Sequence, residues 1–453
     1  MHRANRTEAR RYRLLCTLVL SLAIPASLVA VQSRSAERQF LSGYVGTLPA
    51  SQEDRAGTYF GRPEVRALLA TLESGPIPSQ QAENALSGTG TRMQDLLRLH
   101  LVREDRGVIR IGFPYFTAED MKMVHVVAER YVPGLVAAYK ADRRRMEIVL
   151  DRYPITSVSR KCLAFVLIAG FSLNWDALDL LLQKGYRKTE LIHGDGWQYG
   201  FWGSEDLPDY SYLGFYWGSS TFPADALNLT PPLDFAFSSF GDALSEPRMN
   251  LPDLLALQPQ EMTQPVRGAA ERLGLHDDDE LDMGLKNVIG LYRARALGAI
   301  LFAMRHGATS KQQICKALPA KERSDCSAEL GLLLAIGYVK CRSDRNFELS
   351  VPVLDTVDKP MLESALRLSR GVVERWLEQN YSQVHQSLAN LTAARHGVPY
   401  EVMFSQIWHE LFGLATRELA AQGVIEDPRG PSVIWQGSIP VIWRSSVYRH
   451  KFE

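Results

Sequence analysis

The chain has 453 residues, 46% hydrophobic and 23% charged, with 51 basic against 51 acidic residues for a formal net charge of +0. That composition excludes a disordered or fibrous chain and provides apolar mass for roughly two to four domains. The balanced charge argues against a simple basic nucleic-acid binder, although a neutral total leaves room for a basic face.

The N-terminal segment, MHRANRTEARRYR, carries Arg3, Arg6, Arg10, Arg11 and Arg13 against Glu8. An uncharged apolar run follows, Leu14–Val31. A basic segment ahead of an apolar one has the form of a secretory signal. Val31 and Ser33 suit the two small-residue positions of a cleavage site. The run is also just long enough to span a bilayer, so a retained anchor stands beside a cleaved peptide. Both leave the Arg-rich end in the cytoplasm and export the rest. Arg10-Arg11 invites a twin-arginine reading but lacks the usual aromatic two places on, and Leu15 before Cys16 is too large for a lipoprotein site. The bland alternative is a mis-set start that appended non-native residues. Removing residues 1–33 takes away five basic and one acidic residue, leaving 46 against 50 and a net charge of −4. The expected location is therefore exported, either periplasmic or anchored to the inner membrane by residues 14–31, with the N-terminal segment touching membrane at least during export.

Residues 34–60, with Gly43, Gly46, Pro49 and Gly57, read as a linker with little regular structure. PEVRALLATL predicts a helix over 63–72. SQQAENAL predicts a second over 79–86, opened by a Ser cap. TRMQDLLRLHLV predicts a third, with Met93, Leu96, Leu97 and Leu101 on one face. VREDRGVIRIGF then alternates and turns at Asp105–Gly107, as a hairpin does. Amphipathic helices follow over Ala118–Tyr139 and, later, Met361–Ala394, with Gly134 and Gly397 as weak points.

The chain then echoes itself. QQAENAL at Gln80–Leu86 matches QQICKAL at Gln312–Leu318, an offset of 232. LHLV at Leu99–Val102 faces GYVK at Gly337–Lys340, and IGFPYFTAED at Ile111–Asp120 matches LSVPVLDTVD at Leu349–Asp358, both at 238. The six-residue difference is a loop insertion, PAKERS. The first helix of this second copy is LYRARALGAILFAM and its hairpin YVKCRSDRNFELSV. A looser third copy is SQIWHELFGLATRELAAQGV, ending at Gly423, with a longer hairpin in VIEDPRGPSVIWQGSIPVIW, where SIPVIW echoes SVPVLD. Three helices followed by a two-stranded hairpin resemble the winged-helix domains of small bacterial transcription regulators, by pattern and without an invariant motif.

The middle of the chain does not repeat. KCLAFVLIAGFSLNWDALDLLL, interrupted by Gly170 and Asn174, reads as a buried helix pair rather than a membrane span. Aromatic residues crowd the stretch from Trp197 to Trp217, far above the 9% of the whole chain, so the concentration needs a cause. One reading is a ligand or partner surface using Trp197, Tyr199, Trp202, Tyr212, Tyr216 and Trp217. The other is a local aromatic core of a small β-rich subdomain. LDFAFSSFGDALSEP opens with strand-like alternation.

Four cysteines remain beyond Cys16: Cys162, Cys315, Cys326 and Cys341, which permit three pairings. Cys315–Cys326 is favoured, because it pins two helices across a short polar loop; four buried free thiols are the alternative. No CxxC spacing supports a zinc site.

Catalytic motifs fit poorly. LIHGDG at Leu191–Gly196 resembles the catalytic loop of aminoglycoside- and choline-type kinases, but Gly200 stands where a metal-binding Asn belongs. HELFG at His409–Gly413 begins like a zinc-protease helix, but Gly413 replaces the second His, which leaves His409 a helix-surface or interface residue. Glu205, Asp206 and Asp209 beside aromatic rings suit glycoside hydrolysis, yet three acids on one loop also suit a solvated turn. For DNA binding, the third helix of the first copy offers Arg92, Gln94 and Arg98 against Asp95. In the second copy it carries Asp325 and Glu329 with no base, and in the third Arg417 faces Glu410 and Glu418. Acids on a helix meant for phosphates oppose that use.

The expected fold is mainly α with short β-hairpins (α+β), two or three winged-helix-like units around a mixed aromatic-rich centre. The expected segments are 1–33 signal or anchor, 34–60 linker, 61–150 first unit with its long helix, 151–260 central domain, 285–380 second unit, and 381–453 a helical segment with a third unit. The leading expectation is a non-enzymatic envelope protein that binds a protein or glycan partner, with no cofactor or metal. Its rivals are a cytoplasmic DNA-binding regulator and an envelope glycan hydrolase.

Overall fold

The computed structural model describes residues 40–47, 49, 51–205, 218–222, 234–242, 291–318, 320, 323, 326–335, 337–342, 346–430 and 439–448. Helix and sheet are mixed in an α+β arrangement, with four small sheets among the described residues. The expected N-terminal signal or anchor, with its expected cleavage positions, lies outside the described residues.

Residues 40–47 and 51–60 are more regular than the expected linker. Strand β1, Phe40–Thr47, pairs antiparallel with a strand far along the chain, from Phe40↔Glu205 to Thr47↔Gln198. Its glycine Gly43 lies opposite Trp202, and a Cβ there would sit 2.5 Å from the indole Nε1. A strand glycine of this kind marks a close approach, not a loop. A short helix α1, Ala56–Phe60, follows.

Next come α2 (Pro63–Leu72), β2 (Ile77–Pro78), α3 (Ser79–Leu86), α4 (Met93–Arg98), β3 (Val102–Asp105) and β4 (Val108–Ile111). The three strands form one sheet in the order β2-β4-β3. Pro63 starts α2, where a missing N–H costs nothing. Ser79 is not a cap: Pro78 precedes the helix, and the Ser79 hydroxyl donates to Glu104 at 2.5 Å instead. Helix α4 stops at Arg98, earlier than the apolar pattern implied, because His100 turns left-handed at φ 55°. Leu101 N then donates to Leu96 O at 2.9 Å, and both leucines are buried. Arg106 and Gly107, at φ 52° and 78°, make the left-handed two-residue turn that hairpin twist favours.

The second copy places α8 (Leu291–Arg305), α9 (Lys311–Lys316), α10 (Cys326–Ala335), β10 (Val339–Cys341) and β11 (Phe347–Leu349) in the same order. Gly337, at φ 73°, stands where His100 stands, and Tyr338 N donates to Leu333 O at 2.9 Å as Leu101 does to Leu96. The offset at this corner is therefore 237, not 238, and the extra residue lies in the second hairpin, since Val102↔Ile111 corresponds to Val339↔Leu349. Left-handed backbone, rather than side-chain likeness, sets the register. Cys315 and Cys326 are joined in a disulfide, Cα–Cα 5.5 Å, and Cys162 and Cys341 keep free thiols.

The strongest sequence echo has a structural meaning. After each hairpin a two-residue strand, β5 (Tyr115–Phe116) or β12 (Val353–Leu354), adds parallel to the edge of another sheet. A capping box follows in each, Thr117 with Asp120 and Asp355 with Asp358, and opens a long helix. These are α5, Ala118–Ala141, with α6 (Arg143–Leu150) after it, and α11, Lys359–Ser387. Helix α5 runs unbroken through Gly134, whereas α11 ends before the expected Ala394, and short α12 (Thr392–Arg395) leads to Gly397 at φ 80°.

Segment 160–183 is one rod, α7, not a helix pair. Its middle, Phe165–Asp176, is wound as π-helix, with α-helix at Arg160–Ala164 and Ala177–Gln183. Gly170 does not break it; the Phe240 ring occupies the space a side chain there would need. Among the described residues this rod alone is long and apolar enough to cross a membrane, and 78% of its apolar window is buried against the rest of the chain.

Residues 431–438 of the expected third hairpin lie outside the described residues. Helix α13, Tyr400–Ala421, is present, but β13, Ile439–Arg444, lies between β12 and β9 (Phe235–Asp242), with β8 (Gly218–Phe222) outermost. Ile439–Trp443 are all buried, so the strand needs neighbours on both edges, which a solvent-facing hairpin does not supply. The echoing segments SVPVLD and SIPVIW lie side by side, Val353 opposite Ile442.

Segment 151–260 feeds two hydrophobic clusters. Ile192, Tyr199 and Phe201, from β6 (Ile192–Gly194) and β7 (Trp197–Glu205), join the core of the first copy. Rod α7 and β9 join the larger cluster with α5, α11 and α13.

Candidate functional site

Alternation along β7 divides the aromatic run. Odd positions Trp197, Tyr199 and Phe201 face the first cluster, and Trp202 faces the other way. Tyr199 is 1% exposed, accepts from Ala56 N and donates to Asp54 O, both at 2.7 Å. Trp197 is half-buried, packs on Gly194 across the hairpin and lies 5.8 Å from the Tyr199 ring. Tyr199 is core, which corrects its assignment to a binding surface, and Trp197 packs partly buried against the same cluster. Tyr212, Tyr216 and Trp217 lie outside the described residues.

Trp202 lines a small open cleft of about 50 Å³. The indole is seated over Gly43 of β1, its cross-strand neighbour, and Gly200 lines the same cleft. The facing wall is Ser405 and Gln406 of α13, and the segment between α7 and β6 brings Arg187, Lys188 and Glu190. That segment is fastened by backbone: Arg187 N donates to Leu181 O at 3.1 Å, and Lys188 N to Glu401 O at 2.9 Å. Arg187 is 8% exposed. Comparison with protein-family models, curated proteins and solved structures found no match to this chain. The chemistry of the cleft is read from its own residues: a seated indole, two cations, one carboxylate and neutral hydrogen-bonding groups.

His409 lies one turn beyond Ser405, and its Nδ1 donates to Ser405 O at 2.6 Å. Burial pushes its pKa down to about 4, against the opposing effect of that bond, and the Arg187 charge adds to the fall. It is a neutral, part-buried residue of α13. Among the described residues no group of three or more His, Cys, Asp or Glu side chains is placed to hold a metal.

The other candidates are placed as follows. His193 and Asp195 are exposed at the tip of the β6–β7 hairpin, which Gly196 turns at φ 77°, so LIHGDG forms a hairpin rather than a catalytic loop. Glu205 is buried at the end of β7, where its carboxylate accepts from Ala118 N at the start of α5. A carboxylate there complements the helix dipole. Asp206 and Asp209 lie outside the described residues. Arg92 holds Asp95 through two bonds of 2.9 Å, and Arg98 holds Asp54 at 2.6 Å. Glu329 is buried in α10. Arg187, Lys188, Ser405 and Gln406 carried no sequence signal, because they come from a connection and a helix far apart in the chain.

Proposed function

We propose that this chain is an exported or membrane-anchored, non-enzymatic envelope protein that binds a protein or glycan partner at the Trp202 cleft. The observation that carries the reading is the seating of Trp202 over Gly43 on the wall of an open cleft. A ring held in place offers contact area at little entropy cost. Export is supported by five Arg residues ahead of the uncharged Leu14–Val31 run, and by the Cys315–Cys326 disulfide, which suits an oxidising compartment.

We further read segments 61–150 and 285–380 as winged-helix-like units that serve as scaffold. Three helices, a hairpin and, in the first, a short strand added as β2-β4-β3 support it. The same feature favours the rival reading, a cytoplasmic DNA-binding regulator. Against it stand the ion pairs that occupy Arg92 and Arg98, and the acid in α10. The deciding experiment is location: express the full chain with a C-terminal tag in a bacterial host, fractionate, and determine the mature N-terminus by mass spectrometry. A periplasmic or membrane product is expected. A full-length soluble cytoplasmic product overturns the envelope reading and returns the units to DNA.

A further inference from the structure

We infer that the first copy carries a phosphate-binding site apart from the Trp202 cleft, formed by Arg103, Arg110 and Arg395 where the β3–β4 hairpin meets the turn after α12. Arg103 and Arg110 stand directly opposite each other in the hairpin register. Opposed residues of an antiparallel pair project from one face with Cβ atoms about 5 Å apart, and like charges there are destabilising. The other face of the hairpin is apolar, with Val102, Ile109 and Ile111 buried in the first cluster. A third guanidinium, Arg395, arrives from α12. Arg103 donates to His396 O, and Arg395 to Glu73 O at 3.2 Å and Thr392 Oγ1 at 3.1 Å. Burial first, opposed by the Leu72 bond, and then the charges of Arg110, Arg395 and Arg103 hold the His396 pKa below its ordinary value, so all three cations act on one ring.

This charge has no counter-charge within the chain. Among the described residues none of the three arginines forms an ion pair with a carboxylate, and Arg110 makes no hydrogen bond. The Nε atoms of Arg103 and Arg110 are both buried without a partner. Asp105 shares their face of the hairpin yet pairs with neither, and the Glu73 carboxylate accepts from the Tyr115 hydroxyl at 2.8 Å instead. A buried charged donor is costly unless something supplies an acceptor. Three cations with forked N–H groups suit a group with two negative charges and several acceptor oxygens, which describes a phosphate better than a carboxylate. Arg103 and Arg110 are half-buried and face the α12 turn, so they admit one such group rather than the backbone of a duplex. Inorganic phosphate, a phosphomonoester and a lipid headgroup share this chemistry.

The test uses the purified full chain in phosphate-free buffer, titrated with inorganic phosphate and with acetate at matched ionic strength by isothermal calorimetry. Phosphate is expected to bind about tenfold or more tighter than acetate. Arg110→Gln is expected to weaken phosphate by about tenfold and Arg395→Gln by about threefold, while Arg144→Gln, on an exposed arginine of α6, leaves it unaltered. Without phosphate, Arg110→Gln should unfold at the parent's temperature or higher, and added phosphate should raise the midpoint of the parent alone. A clear fall in the midpoint of Arg110→Gln makes Arg110 a structural residue and overturns the assignment. Equal affinity for acetate, no phosphate binding, indifference to Arg110→Gln, or a DNA duplex that displaces phosphate in an Arg110-dependent manner each overturns it too. Vesicles of phosphatidylcholine with and without phosphatidic acid then identify the source. Arg110-dependent sedimentation with the acidic vesicles alone assigns the phosphate to a lipid headgroup; calorimetric binding without such sedimentation assigns it to a soluble phosphate.

Discussion

Asp120 and Asp358 occupy the same place in the two copies and do different work. Each closes a capping box, Asp120 accepting from Thr117 N at 3.0 Å and Asp358 from Asp355 N at 2.8 Å. Asp120 spends its other oxygen on a backbone amide, Thr392 N, at 3.0 Å. Asp358 instead binds the guanidinium of Arg305 through both oxygens, at 2.7 and 2.9 Å, with the two side chains only 3% and 5% exposed. Removing one partner of a buried ion pair strands the other charge, whereas a lost bond to an amide leaves only a neutral donor. Asp358→Asn is therefore expected to destabilise the chain by about 3–5 kcal/mol, and Asp120→Asn by about 1–3 kcal/mol, in urea unfolding. Equal losses would refute the distinction. The sequence shows the shared aspartate plainly; it does not show Arg305, which arrives from a different helix.

At the scale of elements, glycine decides where sheets and rods meet. Gly43 lets β1 carry the Trp202 indole on its face, and Gly170 lets rod α7 take the Phe240 ring of β9. Both positions looked like breaks in the sequence because glycine weakens an isolated helix or strand. Here each stands where a bulky neighbour comes too close for a Cβ. Gly43→Val is expected to cost about 1–3 kcal/mol through overpacking, read as a lower midpoint in thermal unfolding. It should also change the tryptophan fluorescence, since the indole must leave its seat. A variant as stable as the parent, with an unchanged spectrum, would remove the seat from the account. Strand β13 makes a related point: its sequence echo of SVPVLD is real, and the two segments meet side by side in one sheet, with β9 on the other edge of β13.

At the scale of the whole molecule, the first copy is fastened to the C-terminal half by His396. Its Nε2 donates to Leu72 O at 2.7 Å and its Nδ1 accepts from Ile111 N at 3.3 Å, so the neutral ring joins α2 and β4 to the turn after α12. Arg103 and Arg395 reinforce the seam through His396 O and Glu73 O. Burial holds the His396 pKa below its ordinary 6.5, opposed by the Leu72 bond and aided by Arg110, Arg395 and Arg103. His409 is lowered in the same sense, to about 4. The unfolded chain takes up these protons first, so the contribution to stability is complete above about pH 6.5 and is lost as pH falls through the depressed folded values. For His409 the loss by pH 4 is of order 3 kcal/mol. Hydrogen exchange at Ile111 is expected to quicken between pH 7 and pH 5, after correction for the intrinsic rate, and His396→Gln to abolish that dependence. An exchange rate indifferent to pH there would contradict the seam.

Local physics along the chain specifies the helices at 63–72 and 79–86, the hairpin turn at Asp105–Gly107, and the long helix that follows each of IGFPYFTAED and LSVPVLDTVD. Proline at a helix start, left-handed turn residues and box-forming acids act within a few residues of themselves, so they are legible in order along the chain. Contacts between distant segments make residues 40–47 a strand and α7 one rod, put Tyr199 in the core while Trp202 lines a cleft, and choose the polar groups that face it. Each of these depends on a partner distant in the chain, and burial against that partner, not intrinsic preference, fixes the outcome.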